Sequence, residues 1–162
     1  MRAIIALLAF AFTTTVLHAQ SVRVTGARVT SAGIYEQVGE QKKIQDQSVS
    51  TGTRYETRMR FVSPGTTIPM RDRTLFGATF DVSGSPQGAS SVLRAVWRYP
   101  SPGIDGRMVD EVPANVVIGS PQNTQSWNIV TSSGLPLGVW TLELWDGSRL
   151  LATQQFKLVR SQ

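Results

Sequence analysis

The sequence of 162 residues contains no cysteine and a single histidine, His18. Without cysteine no disulfide can form, so apolar packing alone must hold the core together. Hydrolases with a serine or cysteine nucleophile need an imidazole to accept its proton, and zinc, haem and copper sites need histidine or cysteine ligands. Glycine-rich phosphate loops are also missing. We therefore expect no cofactor, no metal site and no enzyme of these classes.

The histidine itself lies in a segment with the features of an export signal. Arg2 precedes an apolar run over 4–12, and the small residue Ala19 precedes a polar segment. We place the cleavage after Ala19, which makes residues 1–19 a signal peptide and residues 20–162 a single periplasmic or secreted domain. A retained helix or membrane anchor is the alternative, but the run is shorter than the ~20 residues of a spanning helix.

Basic side chains outnumber acidic ones, with 16 Lys and Arg against 11 Asp and Glu and a net charge of +5. Most of the basic residues are arginines. A modest positive balance suits acidic glycans, anionic lipid head groups or acidic proteins as partners. Because exported proteins rarely meet nucleic acid, we expect no nucleic-acid partner, and we expect no membrane span.

Apolar and polar residues alternate with a period of two, which predicts half-buried strands over 54–61, 74–82, 92–99 and 139–145 and a further strand ending near 159. The side chains predicted to face the core are Tyr55, Met59, Phe61, Phe76, Ala78, Phe80, Val82, Leu93, Ala95, Trp97, Tyr99, Trp140, Leu142 and Leu144. No amphipathic helix is predicted after the signal. Strands at this spacing favour an all-β, antiparallel, immunoglobulin-like sandwich of about six to eight strands.

Turn residues separate the predicted strands. Asp146-Gly147 within Trp145–Ser148 predicts a two-residue hairpin of type I′, because both residues tolerate positive φ. Proline and glycine mark loops over 84–88, 100–103 and 120–123. The polar stretch 37–53 is compatible with a long loop, a mobile hairpin or an edge strand.

Carboxylates are the remaining option for catalysis, because two acids can act without an imidazole. The candidates are Asp81, Asp105, Asp110 and Glu111. Acids on strands and turns usually serve as solvated charges or accept hydrogen bonds in turns. A carboxylate-dependent hydrolase acting on cell-wall material is therefore the alternative hypothesis, not the favoured one.

The arginines give a more informative pattern than the carboxylates. Arg54, Arg58 and Arg60 share one face of a predicted strand, Arg94 and Arg98 share the outward face of another, and Arg71 and Arg73 lie in an intervening turn. If the two strands belong to one sheet, the guanidiniums form a basic patch that can bind carboxylates, sulfates or phosphates in bidentate fashion. The alternative is that the arginines keep an exposed sheet face soluble and prevent edge-to-edge association.

Tryptophan raises the question of sugar stacking, since exported sandwiches can bind glycans through exposed rings. Trp97 and Trp140 follow the inward alternation and are expected in the core. Trp145 has the opposite parity from Trp140 and lies beside the hairpin turn, which predicts an exposed ring and a candidate binding residue. The alternation does not place Trp127. Core or hairpin packing is the expected role of these rings, and a carbohydrate platform is the alternative.

Several ordered markers support a family resemblance: Gly33-Ile34-Tyr35-Glu36, Ile68-Pro69, Leu75-Phe76-Gly77 with Phe80, Gly84-x-Pro86-x-Gly88, and Gly138 to Gly147 with Phe156. From Gly33 to Val159 the chain resembles the bacterial domain-of-unknown-function family 3859. The resemblance implies a small exported or envelope β-domain, and it carries no catalytic residues over. Where family members have Pro-Gly before the Trp-Thr pair, this chain has Leu137-Gly138-Val139.

These observations predict a non-catalytic binding or interaction module of the bacterial envelope. Its expected partner is an anionic glycan, a lipid head group or a protein, contacted through an arginine-bearing sheet face. A third possibility is a structural part of a larger assembly, in which an open sheet edge receives a strand from another chain.

Overall fold

The computed structural model describes residues 21–47, 52–103, 106–130 and 134–161, except for the side chains of Gln41 and of 54–57. The predicted signal peptide, 1–19, lies outside the described residues. The described part of the chain forms nine strands and no helix: β1 Arg23–Gln45, β2 Thr53–Pro64, β3 Thr67–Met70, β4 Leu75–Ser85, β5 Ser90–Arg98, β6 Val109–Val117, β7 Asn123–Asn128, β8 Gly138–Asp146 and β9 Arg149–Arg160. It therefore contains no helix that is long and apolar enough to cross a membrane.

The strands form the two sheets of a sandwich. A four-stranded sheet has the order β2-β1-β4-β7, and a five-stranded sheet has the order β3-β9-β8-β5-β6. Neighbouring strands run antiparallel except for β3 and β9, which are parallel. The predicted all-β sandwich is confirmed, although the described residues contain nine strands rather than six to eight. The additional elements include β3, which has only four residues and was not predicted.

The core lies between the inward faces of the two sheets. Every predicted core position of β4, β5 and β8 is buried, as are Tyr99 after β5 and Phe156 and Leu158 of β9. Aromatic rings fill the centre, where Phe76 of β4 makes edge-to-face contacts with Trp97 at 5.5 Å and Trp140 at 5.9 Å between ring centroids. Such packing adds to the stabilisation from burial. The alternation therefore identified half of the buried apolar side chains described.

Trp127, which the sequence pattern did not place, belongs to this core. It lies on β7 opposite Phe76 in the four-stranded sheet and is 8% exposed. Its ring centroid is 5.6 Å from that of Trp140 across the sandwich. A carbohydrate platform on Trp127 is therefore not compatible with its burial.

The edge strand β2 departs from the predicted pattern. Phe61 was expected to face the core but is 40% exposed. Its ring contacts Tyr35 at 5.3 Å, and the hydroxyl of Tyr35 hydrogen-bonds Thr79 on the outward face of the four-stranded sheet. The predicted inward orientation of Phe61 is wrong because a register shift between Ile34 and Tyr35 changes the pairing of β1 with β2 at this point.

The structure also defines the connections between β1 and β2 and between β8 and β9. The described parts of the stretch 37–53 pair as the two arms of a hairpin, because β1 continues to Gln45 and pairs there with Thr53 of β2. Residues 48–51 lie outside the described residues. The β8–β9 hairpin pairs Asp146 with Arg149, so its central residues are Gly147 and Ser148. Among the described non-glycine residues only Arg73 has positive φ, whereas Gly147 has φ +57°. A single positive φ at the first central position is typical of a type II′ turn. The predicted type I′ turn with Asp146 and Gly147 at its centre is therefore wrong in type, and the central residues lie one position later in the chain.

Candidate functional site on the outer face of the five-stranded sheet

The predicted arginines do not form one patch. Arg58 and Arg60 lie on β2 of the four-stranded sheet, whereas Arg94 and Arg98 lie on β5 of the five-stranded sheet. The condition on which the common basic patch depended, that both strands belong to one sheet, is not met. The arginines instead divide into separate groups, each with its own acidic or polar neighbours.

The group on β5 is built into a network of ion pairs across three neighbouring strands. Arg94 Nη1 is 3.1 Å from Glu111 Oε2 on β6, and Arg98 Nε is 2.8 Å from Glu143 Oε1 on β8. Both ion pairs are diagonal, because the residue of β5 that lies directly opposite Glu111 and Glu143 is Val96. Val96 is only 1% exposed although it has outward parity. Its burial on an outward face, between the two ion pairs, indicates that the network is closely packed.

Trp145 of β8 is part of the same network. It lies directly opposite Arg94 in the register, and the Arg94 guanidinium carbon is 5.6 Å from the centre of its ring. The indole N–H donates to Glu143 Oε2 at 2.8 Å. The predicted exposed ring is therefore half-buried, because Arg94 lies over it and Glu143 holds its edge. These contacts fix the orientation of the ring in advance of any partner.

Glu143 joins the two halves of the network and has a perturbed acidity. The hydrogen bond from Arg98 lowers the pKa of Glu143, the indole N–H adds to this lowering, and burial opposes it. The same hydrogen bond raises the pKa of Arg98. Both groups are therefore charged throughout the physiological range, and their charges largely cancel.

Apolar side chains surround the network on this outer face. Val92 continues the outward side of β5 and is 67% exposed, and Val117, Val139 and Leu150 are also exposed. Leu150 pairs directly with Trp145 across the β8–β9 hairpin. None of these residues was identified from the sequence, although the alternation that placed Leu93 in the core also places Val92 outside. We call this surface, formed by Arg94, Arg98, Glu111, Glu143 and Trp145 with the four apolar side chains, the outer face.

The remaining predicted arginines lie elsewhere. Arg60 pairs with Glu36 of β1, and the side chain of Arg54 lies outside the described residues. Arg71 Nε donates to Ser161 Oγ at 3.0 Å, and Arg73 Nε is 3.8 Å from Asp72 Oδ2 in the β3–β4 turn. None of these residues lies on the same strand as Arg94 and Arg98. Among the predicted binding residues whose side chains the structure describes, Arg94, Arg98 and Trp145 are the ones that come together in one network.

The candidate acids do not converge. Asp81 lies on the four-stranded sheet near Arg28, at 3.4 Å, while Asp110 is fully buried and Glu111 points from the outer face of the other sheet. Asp105 lies outside the described residues. A cleft of about 440 Å³ between the start of β1 and the β8–β9 hairpin contains one acid, Asp146, which is 3.0 Å from Arg149. Two acids facing a common cleft, which a carboxylate hydrolase requires, are not found among the described candidates.

Comparisons with known proteins support the architecture. No protein-family model and no curated protein matches this chain, so the resemblance to the domain-of-unknown-function family remains a prediction. Among solved structures the chain is similar to an immunoglobulin-like protein from Pseudomonas aeruginosa, with 23% sequence identity and a TM-score of 0.55 over 86% of this chain and 98% of that chain. At this level of identity the similarity shows the fold alone, and the predicted immunoglobulin-like sandwich is confirmed.

Proposed function

We propose that the protein is a non-catalytic binding module of the bacterial envelope, and that it contacts a protein partner through the outer face. The observation that carries the proposal is the placement of Trp145 between Arg94 and Glu143, within a surface that also exposes Val92 and Leu150. Tryptophan and arginine are enriched among the residues that dominate binding energy in protein interfaces. A ring that is already oriented loses little conformational entropy on binding.

The charge distribution favours a protein over an anionic glycan or lipid head group. Arg94 and Arg98 each contact a glutamate, so an incoming anion would have to compete with a carboxylate that is already in place. The exposed valines and Leu150 contribute apolar area that an anion does not use. A centre of aromatic and arginine side chains with apolar neighbours is typical of protein interfaces.

The location in the envelope rests on the predicted export signal over 1–19. The absence of cysteine from the chain fits a domain that does not depend on the redox state of its compartment. A sandwich without disulfides does not require an oxidising compartment for its packing. Fractionation of cells that express the full chain tests the location, and retention in the cytoplasm contradicts the proposal.

Site-specific photo-crosslinking in the native envelope tests the outer face. A crosslinking amino acid at Val92 or Val139 is expected to capture a defined protein, whereas one at Ser83, exposed on the four-stranded sheet, is not. Trp145→Ala is expected to reduce the capture at Val139 several-fold, because truncation of a central aromatic residue costs about 2 kcal/mol or more. Equal capture from Val92 and Ser83, or capture that Trp145→Ala does not change, contradicts the proposal.

A further inference from the structure

A cleft at one end of the sandwich brings together polar side chains of both sheets. It lies between the start of β1, in the four-stranded sheet, and the β8–β9 hairpin of the five-stranded sheet, with Ser91 of β5 beside it. Its volume of about 440 Å³ is within the range of small-molecule sites. The lining is mainly polar, in contrast to the aromatic core, which favours a polar ligand.

Arg149 holds the two walls of this cleft together. It donates to the carbonyl oxygens of Val24 at 2.6 Å and Thr25 at 3.1 Å, and to Asp146 Oδ2 at 3.0 Å. In a regular strand the carbonyls of consecutive residues point in opposite directions, so one side chain does not ordinarily reach both. Here Thr25 is the extra residue at a register shift between Val24 and Gly26. The bulge allows both carbonyls to meet Arg149, and the cleft is therefore a preformed feature of the fold.

Arg23 supplies the unbalanced charge of the cleft. Arg149 and Asp146 form an ion pair, so their charges largely cancel. The side chain of Arg23 is exposed, and it makes no hydrogen bond or ion pair with the residues that the structure describes. The described lining of the cleft therefore has one positive charge that no acid within it neutralises.

We propose that this cleft binds a small ligand that carries a single carboxylate. The planar guanidinium of Arg23 can donate two parallel hydrogen bonds to a carboxylate. The hydroxyls of Thr25 and Ser91 line the same cleft and can donate to further oxygens of the ligand. Val22, which is 46% exposed, offers an apolar contact to the rest of the ligand. The site shares no residue with the outer face and does not depend on its function.

The charges of the cleft favour a carboxylate over a phosphate. A carboxylate has one negative charge, which matches the one unbalanced charge of Arg23. A phosphate monoester has a charge of nearly two at neutral pH, and its second charge would lie in the same cleft as Asp146. Because like charges at short range repel, Asp146 acts against doubly charged ligands.

The experiment titrates isotope-labelled protein, purified from cells that express the full chain, with small probes. N-acetyl-alanine is expected to shift the amide signals of Arg23, Thr25 and Ser91. Its neutral amide, which lacks the carboxylate, and inorganic phosphate are each expected to bind about tenfold more weakly or less. Equal affinity for the acid and its amide overturns the carboxylate, and phosphate binding as tight as that of the acid overturns the single charge. Shifts confined to strands that do not line the cleft overturn the site.

A longer probe distinguishes two sources of the carboxylate, a free organic acid and the end of a peptide chain. N-acetylated alanine tripeptide with a free C-terminus is compared with N-acetyl-alanine. Tighter binding of the tripeptide identifies a peptide end as the ligand, whereas equal or weaker binding identifies a small organic acid. The same tripeptide with an amidated C-terminus is expected to bind about tenfold more weakly than the free acid, and undiminished binding contradicts the proposal.

Matched arginine variants test the role of Arg23. Arg23→Gln removes the charge and is expected to weaken binding of N-acetyl-alanine about tenfold or more. Arg28→Gln makes the same change at another exposed arginine of β1, which is 3.4 Å from Asp81 and does not line the cleft, and is expected to leave the affinity unchanged. Both variants are expected to keep the stability of the parent in urea, so that lost binding is not lost folding. Equal affinity of the two variants contradicts the proposal.

Discussion

The outward faces of the two sheets follow the same alternation but satisfy their polar groups in different ways. On the four-stranded sheet a chain of hydroxyls links Ser31, Tyr35, Thr79 and Thr124, with oxygen–oxygen distances of 3.2, 2.8 and 3.1 Å. These neutral groups bond to one another, and Tyr35 is buried in the process. The hydroxyl groups of this network therefore find their hydrogen-bond partners within the same sheet.

On the outer face of the five-stranded sheet the polar groups are charged and the apolar groups remain in solvent. Arg94, Arg98 and their glutamates leave part of their donors and acceptors accessible, and Val92 is more exposed than any other large apolar residue described. A polar network that is complete contributes to stability, whereas one that combines charge with exposed apolar area is available for recognition. The comparison therefore predicts that substitutions on the first face affect folding, whereas those on the second face affect binding in addition to any effect on stability.

The largest expected effect concerns the core that both sheets share. Phe76→Ala is expected to lower the free energy of unfolding by about 3–5 kcal/mol, because it removes a buried ring in contact with Trp97, Trp140 and Phe156. Urea denaturation followed by tryptophan fluorescence measures the change. Val92→Ala on the outer face serves as the control and is expected to stay within about 0.5 kcal/mol of the parent. A similar loss in both variants contradicts the assigned core.

An intermediate effect is expected within the hydroxyl network. Tyr35→Phe removes the hydroxyl between Ser31 and Thr79 while keeping the ring against Phe61. We expect a loss of about 1–2 kcal/mol, because buried partners lose a hydrogen bond. Thr153→Val, at an exposed position of β9, is the control on the other sheet and is expected to be nearly neutral. If both variants have equal stability in urea, the hydroxyl network does not stabilise its sheet.

A smaller effect is expected in the pH dependence of stability, and it distinguishes the charged outer face from the hydroxyl network of the other sheet. The hydrogen bond from Arg98 lowers the folded-state pKa of Glu143 below its ordinary value of 4.5. The resulting stabilisation is therefore present above that ordinary value and is lost as the pH falls through the lowered pKa. Glu143→Gln is expected to be less stable than the parent at pH 7, and the difference is expected to narrow towards pH 3. Urea denaturation at both pH values measures this, and a constant difference contradicts the assignment.

The smallest expected effect is a gain of stability in the turn that joins the two sheets. Arg73 has φ +63° at the second central position of the β3–β4 turn, where Thr74 N donates to the carbonyl of Arg71. This turn position favours glycine. Arg73→Gly is expected to raise the free energy of unfolding by about 0.5 kcal/mol, because relief of the left-handed strain exceeds the entropy that glycine adds to the unfolded chain. A lowered melting temperature would show that the Arg73 side chain stabilises the turn.

The extent of sequence-based prediction differs between the core and the candidate site. The alternation placed Phe76, Trp97 and Trp140 in the core because the side-chain period of a strand is two wherever the strand lies. It also placed Arg94 and Arg98 on an outward face. It did not place them beside Glu143 and Trp145, because β5 and β8 are separated in the chain by β6 and β7 and come together only in the sheet. For the same reason the sequence did not show that β2 belongs to the other sheet.

The amino-acid sequence by itself determined that this protein is a β-sandwich without disulfides, and it determined which side of β4, β5 and β8 faces inward. These properties depend on residue types and on a local period. Only the tertiary structure decided which strands are neighbours, which arginines meet glutamates, and that β2 is left as the long free edge. Those outcomes depend on hydrogen-bonded pairing between distant residues, such as Arg23 with Ser85 and Thr67 with Lys157, which no local pattern encodes.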